Sequence, residues 1–209
     1  CSAIALVDVS GCTVEANVLP GNATGVALVG SIGNTLNANT MENSVFYGVA
    51  LIASPYTGAV STGNTISANQ VSGSGRDGIY ADKLCDNNAF TDNTCDANGW
   101  DGLYLWKSSG NTVTDNRLTN NGEYGLHLQA SQNNTVTGNV LSGNLDGMRI
   151  RSSDFADSTG NQVTNNSISG NSNHGLYVEY HDSVFTIDAA RNYWGAADGP
   201  DGEGTGSGD

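Results

Sequence analysis

Residues 111–129 read NTVTDNRLTNNGEYGLHLQ, and this stretch decides the fold because the chain repeats it. Related stretches begin at residues 12, 34, 64, 88, 134 and 161. The middle asparagine of the successive copies is Asn17, Asn39, Asn69, Asn93, Asn116, Asn139 and Asn166. The steps between these asparagines are 22, 30, 24, 23, 23 and 27 residues. A repeat of this length is typical of a solenoid, in which each copy packs only on its neighbours.

Each copy contains three short groups of apolar residues, which in residues 111–129 are Val113, then Leu118, then Leu126 with Leu128. Each group alternates apolar and polar residues as a β-strand does. The hexapeptide period of left-handed β-helices is absent. The sequence therefore predicts an all-β fold: a right-handed, single-stranded parallel β-helix of about eight coils of roughly 23 residues. Longer steps are interpreted as loops inserted at one corner.

Asparagine and glycine mark the predicted corners of the coils. Asparagine tolerates left-handed backbone angles, and its amide both donates and accepts hydrogen bonds. We therefore expect Asn116, Asn139 and Asn166 to stack and to bond along the solenoid. A glycine opens each third strand, as at Gly102 and Gly125, and is expected to make a tight bend.

The whole chain, residues 1–209, is predicted to be one β-helix domain that forms part of a larger secreted chain. Tyr193 and Trp194 are expected to close the end of the core. Residues 198–209 are rich in Gly and Asp and lack large apolar side chains, so we expect a mobile tail.

The formal net charge is −14, from 21 acidic and 7 basic residues. This charge disfavours nucleic acid as a partner, because a polyanion is repelled. No apolar run approaches the ~20 residues that span a bilayer, so no membrane span is predicted. An extracellular or cell-surface location is expected.

The four cysteines fall in two local pairs, Cys1 with Cys12 and Cys85 with Cys95. Neither the cysteines nor the three histidines have zinc-site spacing. Two local disulfides are predicted for an oxidising compartment, and free thiols are the alternative.

One strip of outward positions on the third strands gathers aromatic and charged side chains. The predicted ligand-binding residues are Tyr80, Asp82, Tyr104, Trp106, His127, Arg149, Arg151, Tyr177 and Glu179. Aromatic faces stack on sugar rings, and arginine binds carboxylates with two hydrogen bonds. An acidic polysaccharide is therefore a candidate partner. The alternative is a solvated face held by pairs between coils, such as Asp82 with Lys107.

Two weaker patterns suggest a metal ion and glycans. Asp77 and Asp101 occupy equivalent positions in adjacent coils, so Ca²⁺ is a candidate cofactor between their carboxylates, and exposed turn residues are the alternative. Asn22, Asn133 and Asn165 stand in N-x-[ST] sequons, which permit glycosylation.

The repeat N-x-[VI]-x-x-N-x-[VLI]-x-x-N followed by G-[LIV]-x-[LVI] resembles the NosD-type domains of the pectin-lyase-like superfamily, over residues 12–209. The ending RNYWGAADGPDGEGTGSGD resembles their terminal coil. The resemblance implies a surface or adhesive module, a polysaccharide lyase or uronate epimerase, or a NosD-like periplasmic accessory. The D-P-H-D motif of the epimerases is absent, and 2 Met with 3 His are few for a copper role.

The favoured hypothesis is a non-catalytic extracellular module, adhesive or fibre-forming by end-to-end association, that binds polysaccharide along one face. The first alternative is a carbohydrate-active enzyme, in which Arg149 neutralises a uronate carboxylate and Tyr104 or His127 exchanges the C5 proton. The second alternative is the NosD-like accessory.

Overall fold

The structure is a computed structural model that describes residues 1–153, 156–179 and 186–195. Its regular elements are 22 β-strands, arranged in three parallel sheets that each take one strand per coil. The predicted parallel β-helix is therefore confirmed. Within the described ranges there is no helix with the length and hydropathy to cross a membrane. The predicted tail, residues 198–209, lies outside the described residues.

Sheet I has eight strands: β1 Ser2–Val7, β4 Thr24–Val29, β7 Tyr47–Ile52, β10 Ile79–Ala81, β13 Leu103–Trp106, β16 Tyr124–Gln129, β19 Asp146–Arg151 and β22 His174–Glu179. Sheet II has seven: β2 Thr13–Glu15, β5 Thr35–Asn37, β8 Thr65–Ser67, β11 Ala89–Thr91, β14 Thr112–Thr114, β17 Thr135–Thr137 and β20 Gln162–Thr164. Sheet III has seven: β3 Val18–Pro20, β6 Thr40–Glu42, β9 Gln70–Ser72, β12 Thr94–Asp96, β15 Arg117–Thr119, β18 Val140–Ser142 and β21 Ser167–Ile168.

Each three-residue strand contributes one inward apolar side chain, and the stacked side chains form columns that fill the centre of the solenoid. In sheet II these residues are Val14, Leu36, Ile66, Phe90, Val113, Val136 and Val163. Sheet I contributes two inward side chains per coil, such as Leu126 and Leu128. Burying a side chain of this size stabilises the fold by roughly 1.5–3 kcal/mol. At the C-terminal end Trp194 packs against this core, whereas Tyr193 is 51 % exposed, so one of the two predicted closing residues does so.

Buried asparagines form ladders at two corners that flank sheet II and at a third between sheets III and I. Asn116 shows the pattern: its Oδ1 accepts from the backbone N and the Nδ2 of Asn93, at 2.9 and 3.0 Å. Its Nδ2 donates to the carbonyls of Phe90 and Thr114. The predicted stack is thereby confirmed, with members Asn17, Asn39, Asn69, Asn93, Asn116, Asn139, Asn166 and Asn192.

One detail of the predicted corners is wrong, because the left-handed residue is the one before the ladder asparagine, as at Ala68 (φ 53°) and Asp115 (φ 55°). The glycines that open the sheet I strands lie where two coils approach closely, and Gly78 and Gly102 also lie at bends, as predicted. A Cβ on Gly102 would lie 2.7 Å from the carbonyl oxygen of Gly125 and 2.8 Å from Nδ2 of Asn121.

The cysteines differ from the predicted disulfides, because all four are free thiols. Cys85 is buried between β10 and β11. Its thiol hydrogen-bonds the backbone of Ser61, and Asn88 donates to its carbonyl. Cys95 lies in the core column of sheet III, between Val71 and Leu118. Each of these two thiols thus fills an interior site of its own coil.

Removal of a ladder amide should strongly destabilise the fold. Asn116→Ala leaves the buried backbone N and Nδ2 of Asn93 without their acceptor, and an unsatisfied buried group costs about 1–3 kcal/mol. It also removes one donor to each of the carbonyls of Phe90 and Thr114. We expect the free energy of unfolding, measured by urea denaturation, to fall by more than about 2 kcal/mol. Gln70→Ala on the exposed surface is the control, and an equal loss there would contradict the ladder's role.

Replacing an alanine that has a left-handed backbone conformation with glycine should stabilise the fold. The left-handed region costs an L-residue about 1–2 kcal/mol, part of which the greater freedom of unfolded glycine offsets. Ala68→Gly should therefore raise the free energy of unfolding by about 0.5–1 kcal/mol. Ala89→Gly, within β11, should lower it, and shifts of the same sign would refute the explanation.

Candidate ligand-binding face

The outward surface of sheet I carries the predicted strip as two adjacent rows. In the middle row, hydrogen-bonded strands place Tyr80, Tyr104, His127, Arg149 and Tyr177 in register, one per coil. In the neighbouring row, Trp106, Gln129, Arg151 and Glu179 lie in register, and Asp82 directly follows β10. The structure thus brings all nine predicted ligand-binding residues onto one face.

The aromatic rings of this face stack on one another. Tyr47 and Tyr80 have ring centroids 4.9 Å apart with an interplanar angle of 15°, and Tyr104 stacks on His127 at 4.4 Å and 9°. Tyr80 bridges the two pairs by its contact with Tyr104 at 5.5 Å. Rings that cover each other's faces present mainly their edges and polar atoms outward. The stack therefore forms the floor of the face, and open aromatic surfaces must come from other residues.

His127 is buried and neutral. Its Nδ1 lies 3.0 Å from Oδ2 of Asp101, and Oδ1 of that carboxyl accepts from the backbone N of Tyr124. Burial lowers the pKa of His127 to about 3 and holds the pKa of Asp101 well above its ordinary range. Burial therefore favours the neutral form of each partner in this hydrogen-bonded pair. Among the described residues, the buried Nε2 of His127 has no hydrogen-bond partner.

The two tyrosines in the middle of the stack remain protonated. Burial, assisted by nearby carboxylates, raises the pKa of Tyr80 and of Tyr104 above that of an ordinary phenol. A general base must lose its proton near the working pH. The predicted catalytic set of Tyr104, His127 and Arg149 therefore lies together on the face, with a phenol that keeps its proton and an imidazole whose low pKa makes it a weak base.

The two adjacent arginines have different environments. Arg149 donates to Oε2 of Glu179 at 2.6 Å and to the hydroxyl of Tyr124 at 2.9 Å, and its guanidinium lies over the Tyr177 ring. This hydrogen bond from Arg149 lowers the pKa of Glu179. Arg151 lies 3.5 Å from the same carboxylate, and its side chain is 47 % exposed. Arg149 is thus held by protein groups, whereas Arg151 has donors open to a ligand.

A neighbouring corner adds residues that the sequence analysis missed. The guanidinium of Arg76 lies between the rings of Phe46 and Trp100, 5.2 and 4.9 Å from their centroids. Trp100 is 44 % exposed and Phe46 42 % exposed, so each offers aromatic surface to solvent. All three stand two residues before the glycine of a sheet I strand, and this shared position is the signal that identifies them in the sequence.

The predicted calcium residues form a buried hydrogen-bonded column. Oδ1 of Asp77 accepts from the backbone N of Asp101 at 3.1 Å, and burial with the neighbouring Asp101 carboxyl raises the pKa of Asp77 to about 8. In the next aspartate of this row, Asp146, Oδ1 lies 2.9 Å from Nδ1 of His174. The described part of the chain has no group of three His, Cys, Asp or Glu side chains placed to hold a metal ion. Asp77 and Asp101 are thus joined by a hydrogen bond within the protein, and Ca²⁺ binding there stays a prediction.

The three sequon asparagines differ in their surroundings. Asn133 and Asn165 are exposed at left-handed corners, with φ of 55° and 60°. Asn22 is partly buried, and its Nδ2 donates to the carbonyl of Pro20. Glycosylation at these sites stays a prediction, with Asn133 and Asn165 the more accessible.

Comparison with known proteins places this architecture in a family. The family model described as "Right handed beta helix region" matches residues 56–191. The chain belongs to this right-handed β-helix family. A second model, described as "Periplasmic copper-binding protein (NosD)", matches residues 1–98 of this β-helix. Because the described residues offer no cluster of metal ligands, they do not fit a copper site.

Solved structures with the same fold include proteins named for action on polysaccharides. A T265N mutant of the periplasmic alginate epimerase AlgG aligns over 88 % of this β-helix and 50 % of its own chain, with a TM-score of 0.68 and 18 % identity. The A-module of the Azotobacter vinelandii mannuronan C-5 epimerase AlgE6 aligns over 91 % of this β-helix and 58 % of its own chain, with a TM-score of 0.70 and 13 % identity. The enzymatically active domain of tailspike protein 2 from bacteriophage CBA120 aligns over 84 % of this β-helix and 28 % of its own chain, with a TM-score of 0.62 and 12 % identity.

This β-helix therefore spans 58 % or less of the length of these three solved chains, and identities below 20 % show a shared fold alone. No match was found among curated protein sequences.

The raised pKa of Asp77 predicts a loss of stability as pH rises. Between its ordinary value of 3.8 and about 8, the folded state holds a proton that the unfolded state has released. Asp77 therefore contributes a decrease in the free energy of unfolding across this interval, and Asp77→Asn removes that contribution. Between pH 4 and pH 9, the free energy of unfolding of the variant, measured by urea denaturation, should rise relative to that of the wild type by more than about 1 kcal/mol. The reason is that one pKa unit is worth ~1.4 kcal/mol.

The control for this titration is Asp115→Asn at an exposed corner, which should keep the wild-type pH dependence. Parallel profiles for Asp77→Asn and the wild type would contradict the assignment of the buried proton to Asp77.

Proposed function

We propose that this chain is a non-catalytic β-helix module, secreted and part of a larger surface or adhesive protein, that binds a uronate-containing polysaccharide on the outward face of sheet I. The ligand lies against the stacked rings, between the corner of Phe46, Arg76 and Trp100 and the row of Trp106 and Arg151. The observation that carries the proposal is the contrast between the outward faces of the three sheets.

Sheets II and III expose mainly short polar side chains, as in β14 and β12, whereas sheet I exposes tyrosine, tryptophan, histidine and arginine over five consecutive coils. All three faces satisfy the same coil geometry, so the coil alone does not require large side chains on one of them. Tryptophan, tyrosine and arginine dominate the energetics of recognition sites. Their concentration on sheet I supports a binding role for that face.

The open groups on this face suit a sugar chain with carboxylates. Trp100 presents an apolar ring surface on which a pyranose stacks, and Arg151 presents guanidinium donors that fit a carboxylate. In a chain of net charge −14, Lys83 and Lys107 flank the same strip. The names of the two epimerases agree with a polysaccharide ligand, although their low identity transfers only the fold.

The electrostatics of the face favour binding over catalysis. Uronate epimerisation and β-elimination both require removal of the C5 proton by a base. His127 is buried with its Nδ1 bonded to Asp101, and the pKa of Tyr104 is raised. Arg149 is already bonded to Glu179, so its charge is partly neutralised before any substrate arrives.

Titration with alginate and galacturonate oligosaccharides tests the proposal. Arg151→Ala and Trp100→Ala should each weaken binding, measured by calorimetry, by at least about tenfold, because an interaction of ~1.4 kcal/mol corresponds to a factor of ten. Arg117→Ala on the exposed surface of sheet III removes the same charge elsewhere and is the matched control.

Proton NMR of the same mixtures separates binding from chemistry. Broadened sugar signals without new resonances agree with a binding module. New alkene protons or an altered uronate ratio would identify a lyase or an epimerase and overturn the non-catalytic assignment. Equal weakening of binding by Arg151→Ala and Arg117→Ala would indicate that the ligand does not bind on sheet I. Light scattering across concentration tests the predicted end-to-end association separately.

A further inference from the structure

The carboxylate of Glu179 lies beside two arginines at the C-terminal end of the sheet I face. Its Oε2 accepts a hydrogen bond from Arg149 at 2.6 Å and lies 3.5 Å from Nε of Arg151. Strand pairing fixes this arrangement, because Glu179 is in register with Arg151 of the neighbouring coil, and Arg149 points to the same side two residues earlier. The two arginines therefore already bind a carboxylate, and that carboxylate belongs to the protein.

The two guanidinium groups offer more hydrogen-bond donors than Glu179 uses. A guanidinium has five N–H donors and binds a carboxylate most strongly through two parallel hydrogen bonds to both of its oxygens. Here both contacts go to the single oxygen Oε2, and the contact with Arg151 is longer than an ordinary hydrogen bond. A carboxylate that engaged Arg149 and Arg151 through both oxygens would satisfy them better than Glu179 does.

The contacts of Glu179 with the arginines can be exchanged at little cost. The side chain of Glu179 is 35 % exposed and that of Arg151 47 % exposed, so water reaches both partners. Ion pairs that water reaches contribute little to stability, because solvent screens the attraction and the side chains lose freedom in making it. The carboxylate of Glu179 is therefore free to turn toward solvent when another anion takes its place.

Arg149 keeps its position without Glu179. It donates to the hydroxyl of Tyr124 at 2.9 Å, and its guanidinium lies 5.1 Å from the ring centroid of Tyr124 and 4.8 Å from that of Tyr177. The buried carboxylate of Asp146 lies 3.7 Å away on the same strand. These contacts hold the guanidinium before a ligand arrives, which lowers the entropic cost of binding.

We propose that Glu179 is an internal competitor for the uronate carboxylate of the ligand. On binding, the ligand's carboxylate takes the place of Glu179 between Arg149 and Arg151, and Glu179 turns to solvent. A neutral sugar brings no charge to replace that of Glu179, so this exchange selects acidic sugars over neutral ones. The inference rests on the proposed polysaccharide binding and names the subsite that receives the carboxylate.

Calorimetry with galacturonate oligosaccharides and the full chain tests the exchange. Glu179→Gln should strengthen binding by about three- to fivefold, the size expected when an exposed charge no longer competes. Glu179→Ala should give at least the same gain, because no side-chain oxygen remains to bind the arginines. Glu42→Gln makes the same change of charge at an exposed position on sheet III and should leave the affinity unchanged. The carboxyl-reduced form of the same oligosaccharide should show no gain with any of these variants.

The wild-type protein gives a second readout, because the pKa of Glu179 reports its contact with Arg149. Within the described residues, the ionisable groups that act most strongly on Glu179 are Arg149, Arg151 and His127, and the hydrogen bond from Arg149 lowers its pKa. Saturation with the oligosaccharide should raise this pKa, measured by carbon-13 NMR of the side-chain carboxyl, because the ligand takes that hydrogen bond. An unchanged pKa would show that Glu179 stays on Arg149 and would overturn the inference.

The outcomes separate this inference from the proposed function. If Arg151→Ala and Trp100→Ala weaken binding while Glu179→Gln and Glu179→Ala leave it unchanged or weaker, the polysaccharide face stands and the exchange is wrong. An equal gain with Glu42→Gln, or with the carboxyl-reduced ligand, would also overturn the exchange. If neither the wild type nor the Glu179 variants bind the oligosaccharides, the proposed function and the inference fail together.

Discussion

The buried asparagine amide is the interaction on which the rest of the solenoid depends. The side chain of Asn116 accepts a hydrogen bond from a backbone N of the preceding coil. It also donates to one carbonyl of that coil and to one of its own coil. A coil with another residue here would leave the buried backbone N of Asn93 unpaired, which costs about 1–3 kcal/mol. The constraint explains why asparagine recurs while the lengths of the inserted loops vary.

Because ladders and core fix the coil from inside, the three outward faces are free to differ. Sheet I carries aromatic and guanidinium groups, sheet II exposes mainly threonine, and sheet III mixes short polar and charged residues. The same strand spacing underlies all three faces. Functional differences within this protein therefore arise from outward side chains, and the fold supplies a rigid, periodic support for them.

The outward face of sheet I is partly an extension of the interior. Asp77 and Asp101 precede strands β10 and β13, and His127 lies on the outward side of β16, yet all three are less than 10 % exposed. Burial favours their neutral forms, so hydrogen bonds replace charge along this row. The remaining charge belongs to Arg151 and the flanking residues, which explains why the face suits binding better than proton transfer.

The sequence by itself determined the fold, the period and the rows of outward residues, because alternation and repeat length are local properties of the chain. It also identified the asparagine stack at Asn116. Only the tertiary structure showed that His127 is buried and that Trp100 joins the face, because both depend on contacts between coils. The left-handed angle at Ala68 and the close approach at Gly102 were likewise decided by the stacking of coils, which residue type alone does not specify.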